Sequence, residues 1–191
     1  YYMPQIWTSD NTDAAERLKI QYGTSIVYPP CTMTAHISEV PNQQTDRSVP
    51  LETRAYAAMM ANFGLELDPR WLSGEERETV KVQIATYKSI RRLVQFGDLF
   101  RLKSPFEGND AAFLYAAPDR LEAVAAYFRL LTTANAPEIF LRFAGLNPDI
   151  RYEETERGGV YWGDELLHSG QPVRLHDGDF QCRFWHFCAV R

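Results

Sequence analysis

The chain predicts an α/β segment followed by an all-β segment, and three features of its 191 residues carry that reading. Strand-like and helix-like runs alternate as far as Gly97. Beyond Gly97 the apolar runs are short, strand-like and separated by turns bearing Pro, Gly and Asn. Acidic residues also cluster where the first strand-like run gives way to a helix. The boundary therefore falls near residue 97, dividing the chain into segments 1–97 and 98–191.

In the first segment, residues 1–7 read as a short buried strand and residues 13–20 as the opening of a helix. Asp13 and Glu16 have capping-box spacing, and Gly23 supplies a stop. Residues 24–28, β-branched and aromatic ahead of Pro29 and Pro30, predict a second strand. A polar loop over 41–48 leads to an Ala- and Met-rich helix over 51–62. Residues 63–68 alternate apolar and polar and give a third strand, closed by Pro69. Ser73 and Glu76 form another capping box, and Val80, Ile84, Tyr87, Ile90 and Val94 recur at helical spacing up to Gly97. Three strand–helix units cannot close a barrel, which takes about eight. The first segment reads as the last part of a larger α/β domain.

In the second segment, strand-like runs at 99–102, 111–116, 124–131, 139–143, 150–154, 172–175 and 180–190 predict an antiparallel sandwich.

With 45% hydrophobic and 13% aromatic residues the chain can bury a sizeable core. A net charge of -5 opposes the basic footprint that nucleic acid requires. No run reaches the roughly 18–20 apolar residues of a membrane span. Cys31, Cys182 and Cys188 are an odd, sparse set, which predicts reduced thiols and a cytoplasmic setting. No phosphate-cradling glycine loop and no Gly-x-Ser-x-Gly elbow is present.

Asp10 and Asp13 flank the first strand-to-helix turn. Both acids suit a helix N-terminus, as cap and dipole partner. With Asp13 as cap, Asp10 is left to face the carboxyl end of the sheet, where a carboxylic acid can protonate a leaving oxygen. Glu66 and Asp68 also end a strand, but with Leu65 and Leu67 inward they read as surface acids. His36 has no Ser or Cys nucleophile beside it and reads as a hydrogen-bonded structural histidine. Cys182, His186 and Cys188 share one strand face, yet match no standard zinc spacing. One strand cannot bring three ligands to one centre without help from elsewhere, so they read as core or interface residues and no metal site is assigned.

Residues 1–13 (YYMPQIWTSDNTD) and 16–25 (ERLKIQYGTS) resemble the bacterial α-galactosidases of glycoside hydrolase family 36. The resemblance continues through Met33, Ala35-His36, Val40-Pro41-Asn42, residues 50–54 (PLETR) and residues 63–68 (FGLELD). It extends to residues 95–98 (QFGD), 104–109 (SPFEGN), 163–166 (GDEL) and 178–181 (GDFQ). It implies the last strands and helices of a (β/α)8 barrel followed by a carboxyl-terminal antiparallel β-sandwich. By the same resemblance Asp10, the first Asp after Trp-Thr-Ser, is the acid/base of a retaining mechanism and touches the substrate. The family's nucleophile, in a Lys-x-Asp context, and its Cys- and Gly-rich galactose loop belong to earlier strands that this sequence does not contain.

The implied substrates are α-galactoside oligosaccharides of the melibiose and raffinose type, with no metal or organic cofactor. The implied assembly is a homo-oligomer, often a tetramer. Thr34, Gln43, Asp46 and Ala55 depart from the family pattern, which puts substrate range and leaving-group binding in question. Galactosyl transfer to a sugar acceptor uses the same chemistry. A different class of reading is a non-catalytic sugar-binding or assembly module built on the β-sandwich. Exposed edges of an incomplete parallel sheet oppose it, and a monodisperse, sharply melting chain would favour it.

Overall fold

A computed structural model describes residues 4–190, which divide into two compact units between Gln95 and Phe96. The order of the first unit is α1 (Ala14–Val27), β1 (Thr34–Ser38), α2 (Leu51–Met59), β2 (Asn62–Glu66) and α3 (Gly74–Phe96), with short 3₁₀ turns after α1 and β2.

β1 and β2 pair in parallel from Thr34↔Asn62 to Ser38↔Glu66, and Ile6 joins on the far side through a single parallel bridge to Met33. Three parallel segments are present, as the sequence predicts, but the middle one is Thr34–Ser38. Residues 24–27 belong to α1 instead, with Tyr28 as its C-cap. Gly23 does not stop that helix, because Leu18, Gln21 and Ser25 continue one buried stripe at helical spacing. The Ser25 hydroxyl donates to the Tyr22 carbonyl and Tyr28 N–H donates to Thr24, so the turn closes before Pro29 ends it. Burial of the stripe outweighs the β-propensity of Thr24, Ile26 and Val27, of which Ile26 and Val27 are exposed. The expected first strand is reduced to its bridge; residues 1–3 of it lie outside the described residues, while Ile6 and Trp7 are exposed rather than buried.

α2 lays Ala55, Ala57, Ala58 and Met59 into the core with Ile37 of β1, and its small residues let helix and sheet approach closely. α3 begins at the expected capping box: Glu76 N–H donates to Ser73 Oγ at 3.1 Å and Ser73 N–H to Glu76 Oε2 at 2.8 Å. Its buried face carries Val80, Tyr87, Ile90 and Val94, and Tyr87 packs on Phe63 of β2 with ring centroids 5.2 Å apart.

The second unit is a six-stranded antiparallel sheet in the order β3 (Asp98–Lys103), β4 (Asp110–Ala116), β5 (Glu122–Arg129), β10 (Gln181–Ala189), β7 (Arg151–Glu154), β8 (Val160–Trp162). A two-stranded sheet, β6 (Phe140–Leu141) with β9 (Gln171–Pro172), and the short α4 (Gly163–His168) complete the unit. Its core places Tyr127, Tyr152, Trp185 and Phe187 against Leu141, Phe143 and Leu166. Phe143 meets Trp185 and Phe187 edge-on at 5.4 and 5.0 Å. The buried phenols keep partners: Tyr127 donates to Asp110 at 2.9 Å and Tyr152 to the Arg120 carbonyl at 2.6 Å. β8 and α4 carry too few apolar residues in period to be legible in advance. Among the described residues no helix is long and apolar enough to cross a membrane.

Candidate functional site

The site lies where Ile6, β1 and β2 release the chain at their carboxyl ends, the rim at which ligands gather in parallel α/β sheets. Between Ile6 and α1 the backbone winds through two Asx- and Ser-type turns. Ser9 Oγ accepts from Asn11 N–H at 3.1 Å, and Asn11 Oδ1 accepts from Asp13 N–H at 3.0 Å.

Asp13 is buried and fully engaged. Its Oδ1 accepts from the Ala15 and Glu16 amides at 2.8 and 3.1 Å and from Arg47 at 2.7 Å, while Oδ2 accepts from the Thr45 hydroxyl at 2.5 Å. Burial pushes this carboxyl up, and the hydrogen bonds from Thr45, the Glu16 amide and Arg47 outweigh it and hold the carboxyl below its ordinary value. Asp13 is a helix cap with no oxygen left for chemistry.

Asp10 is its opposite. The residue is exposed, and among the described residues its carboxylate accepts no hydrogen bond. Its backbone is nevertheless held, because Gln44 Nε2 donates to the Asp10 carbonyl at 3.2 Å. Gln44 belongs to loop 41–47, which also reaches this turn through Asn42 to the Thr12 hydroxyl at 2.8 Å and through Thr45 and Arg47 to Asp13. The loop is a strap across the segment that carries Asp10.

Beneath the strap, Arg17 is buried and donates to the carbonyls of Ser9 at 3.3 Å and Thr34 at 2.6 Å. It ties the Asp10 segment to β1 and places a positive charge behind the rim. His36, in the middle of β1, stacks face to face on Trp7 with centroids 4.5 Å apart. Burial and then the Arg17 charge push its imidazole down to about 4, so the ring is neutral at pH 7.

Glu66 ends β2, with Oε2 2.6 Å from His36 Nε2, yet the approach is not aligned as a hydrogen bond and neither ring nitrogen of His36 has one among the described residues. The expected hydrogen-bonded histidine is thus a buried histidine held by stacking and by a carboxylate contact. The expected inward Leu65 is also overturned: it is 40% exposed, and Glu66 turns to the rim beside His36. Burial, Asp10 and Glu39 push the Glu66 carboxyl up, and Arg17 counters only part of that rise. Asp68, as expected, stays a surface acid, clasped by Arg70 at 2.6 and 2.9 Å. The sequence reading set Glu66 aside as a surface acid, whereas the parallel register brings it to the same rim as Asp10, with β1 between them, close enough for the Asp10 charge to help raise its carboxyl.

Residues 1–97 match the Melibiase family, and residues 110–187 match the glycosyl hydrolase family 36 C-terminal domain. The chain belongs to glycoside hydrolase family 36. This family 36 chain is 53% identical over its whole length to α-galactosidase AgaA of Geobacillus stearothermophilus and 45% identical to α-galactosidase Mel36A of Lactobacillus acidophilus. It spans about a quarter of either relative, 26% in each case. It superposes on the crystal structure of an AgaA variant in complex with raffinose with a TM-score of 0.96, covering all of this chain and 26% of that one. The galactosidase domain of an α-galactosidase–sucrose kinase, 40% identical, superposes with the same TM-score and the same coverage.

The second cluster of reactive side chains lies in the second unit. His186 and Cys188 are close together there, but Cys182 sits opposite Phe128, well along β10 from the Glu122 that faces Cys188. The side chains that come together are Glu122, His186 and Cys188, with Cys182 apart from them.

Proposed function

We propose that this chain supplies the acid/base half of a retaining α-galactosidase. In this reading residues 1–97 are the last strands and helices of a (β/α)8 catalytic barrel, and residues 98–191 are its carboxyl-terminal antiparallel β domain. The observation that carries it is the division of labour between two neighbouring carboxylates. Asp13 is consumed by its cap, Thr45 and Arg47, whereas Asp10 is exposed and unengaged at the carboxyl rim of the parallel segments.

A retaining glycosidase needs two carboxyl groups about 5–5.5 Å apart. In the first step the Asp10 carboxylic acid gives its proton to the departing glycosidic oxygen while a carboxylate elsewhere in the complete polypeptide attacks the anomeric carbon. In the second step the Asp10 carboxylate takes a proton from water as that water displaces the enzyme carboxylate. Arg17 and the strap hold the backbone on either side of the acid. Trp7, exposed and stacked on a neutral His36, offers an apolar face of the kind on which a sugar ring packs.

Raffinose and stachyose complexes of the AgaA variants support α-galactoside oligosaccharides as substrates of the complete protein. The absence of a disulfide at Cys31, Cys182 and Cys188 supports a reducing, cytoplasmic setting. Exposed Phe106, Phe140 and Trp162 on the second unit support assembly into a homo-oligomer through that unit.

The test is Asp10→Ala in the complete enzyme. Turnover of melibiose, whose leaving group needs a proton, should fall by about 10²–10⁴. Release of an activated aryl leaving group in the glycosylation step should fall far less. Equal losses on both substrates would remove Asp10 from the acid/base role.

A further inference from the structure

Three different ligand-type side chains converge on one point of the six-stranded sheet, apart from the site just described. Cys188 on β10 lies directly opposite Glu122 on β5, and His186 is two residues back on the same face. Direct and diagonal cross-strand neighbours are within side-chain reach. Here His186 Nε2 is 2.8 Å from Glu122 Oε1 and 3.6 Å from Cys188 Sγ, and the three donor atoms all lie within 4.8 Å of one another. On the other side of β10, Glu153 of β7 is the cross-strand partner of Cys188 and so is placed on the same face.

Both contacts meet the same ring nitrogen. A thiol–imidazole–carboxylate relay uses the two nitrogens of the ring separately, one toward the nucleophile and one toward the orienting acid. This arrangement therefore lacks the geometry of a nucleophilic relay. It has the geometry that a shared cation would draw together. Thiolate, imidazole and carboxylate all ligate zinc at about 2.0–2.3 Å, which in a tetrahedron sets donor atoms roughly 3.3–3.6 Å apart. The His186–Cys188 separation already matches, and the His186–Glu122 pair has to open by only about half an ångström. The missing help that one strand needs to build a centre comes from Glu122 on its neighbour.

We propose that Glu122, His186 and Cys188 form a binding site for one zinc-class divalent ion, with water or Glu153 in the fourth position. The ion would staple β5 to β10, and through Glu153 it would reach β7. Two carboxylates beside one thiol supply the negative charge that such an ion neutralises. All three ligands are half-buried, which leaves an entry path from solvent.

Cobalt(II) titration of the full chain, chelator-treated and with its thiols reduced, tests the site. The expected result is one Co²⁺ per chain with a thiolate-to-cobalt charge-transfer band in the near ultraviolet, displaced by Zn²⁺. Cys188→Ser should abolish the band, His186→Gln should weaken binding at least tenfold, and Cys182→Ser should change neither. Zn²⁺ should raise the thermal midpoint of the unsubstituted chain and leave that of Cys188→Ser unmoved. Absence of the band in the unsubstituted chain overturns the proposal without reference to any variant. A band that survives Cys188→Ser and disappears with Cys182→Ser or Cys31→Ser overturns it as well.

Discussion

Two aspartates three positions apart divide cap from chemistry. Asp13→Ala removes the acceptor of two helix amides and the carboxylate 2.7 Å from Arg47, and should cost about 2 kcal/mol, seen as a lower thermal midpoint. His36 sets a pH dependence. Its folded pKa is about 4 against an ordinary 6.5, so between these values the unfolded chain binds the extra proton. The contribution is fully present above pH 6.5 and is lost as pH falls toward 4, amounting to at most about 3 kcal/mol. Glu66, raised, works in the opposite sense at the acid end of that window. Urea midpoints should fall across this range, and His36→Phe should flatten the curve; an unchanged slope would mean that His36 is not buried neutral. The Asp13 capping role was legible from its spacing to the helix amides. The engagement of His36 and Glu66 was not, because it depends on which strand lies beside which.

Helix ends and turns follow local chemistry, whereas strand membership follows packing. The capping box at Ser73 and Glu76 forms as its spacing predicts, and Ser73→Ala should cost about 1 kcal/mol by thermal melting. Residues 24–28 show the limit of local propensity: β-branched side chains sit on the exposed side of a helix whose other side is buried. Thr34–Ser38, which carries no clean alternation because both of its faces are buried, forms the middle parallel strand in their place. Asp46 takes φ 56° in the strap, a left-handed turn that Gly adopts without strain. Asp46→Gly should be tolerated, while Asp46→Val should cost about 1–2 kcal/mol and weaken the hold on Asp10. Gly170, at φ 76°, has the Leu141 carbonyl where a Cβ would sit, so Gly170→Ala should destabilise the pairing of β6 with β9.

The whole chain spans about a quarter of the enzymes it resembles, and its rim holds one unengaged acid and one acid spent against a histidine. By itself it should release no aryl group from an activated α-galactoside. Measurable turnover by this chain would show that a second working carboxylate lies within it, with Glu66 the first to substitute. The order of an α/β segment before an antiparallel one was readable from the change in periodicity at Gly97. The strand order β3-β4-β5-β10-β7-β8 was not, because β10 inserts between strands far from it in sequence and no local pattern encodes that return.

The strap of residues 41–47 grips the Asp10 segment through the side chains of Asn42, Gln44, Thr45 and Arg47, which reach the Thr12 hydroxyl, the Asp10 carbonyl and the Asp13 carboxylate and leave the Asp10 carboxylate untouched. Position and reactivity of the acid are thereby under separate genetic control. Substitutions in the strap can shift the Asp10 backbone without changing Asp10 itself. On the proposed acid/base role of Asp10, directed evolution of leaving-group preference in the complete enzyme should concentrate its beneficial changes in these seven residues rather than in the segment that carries Asp10.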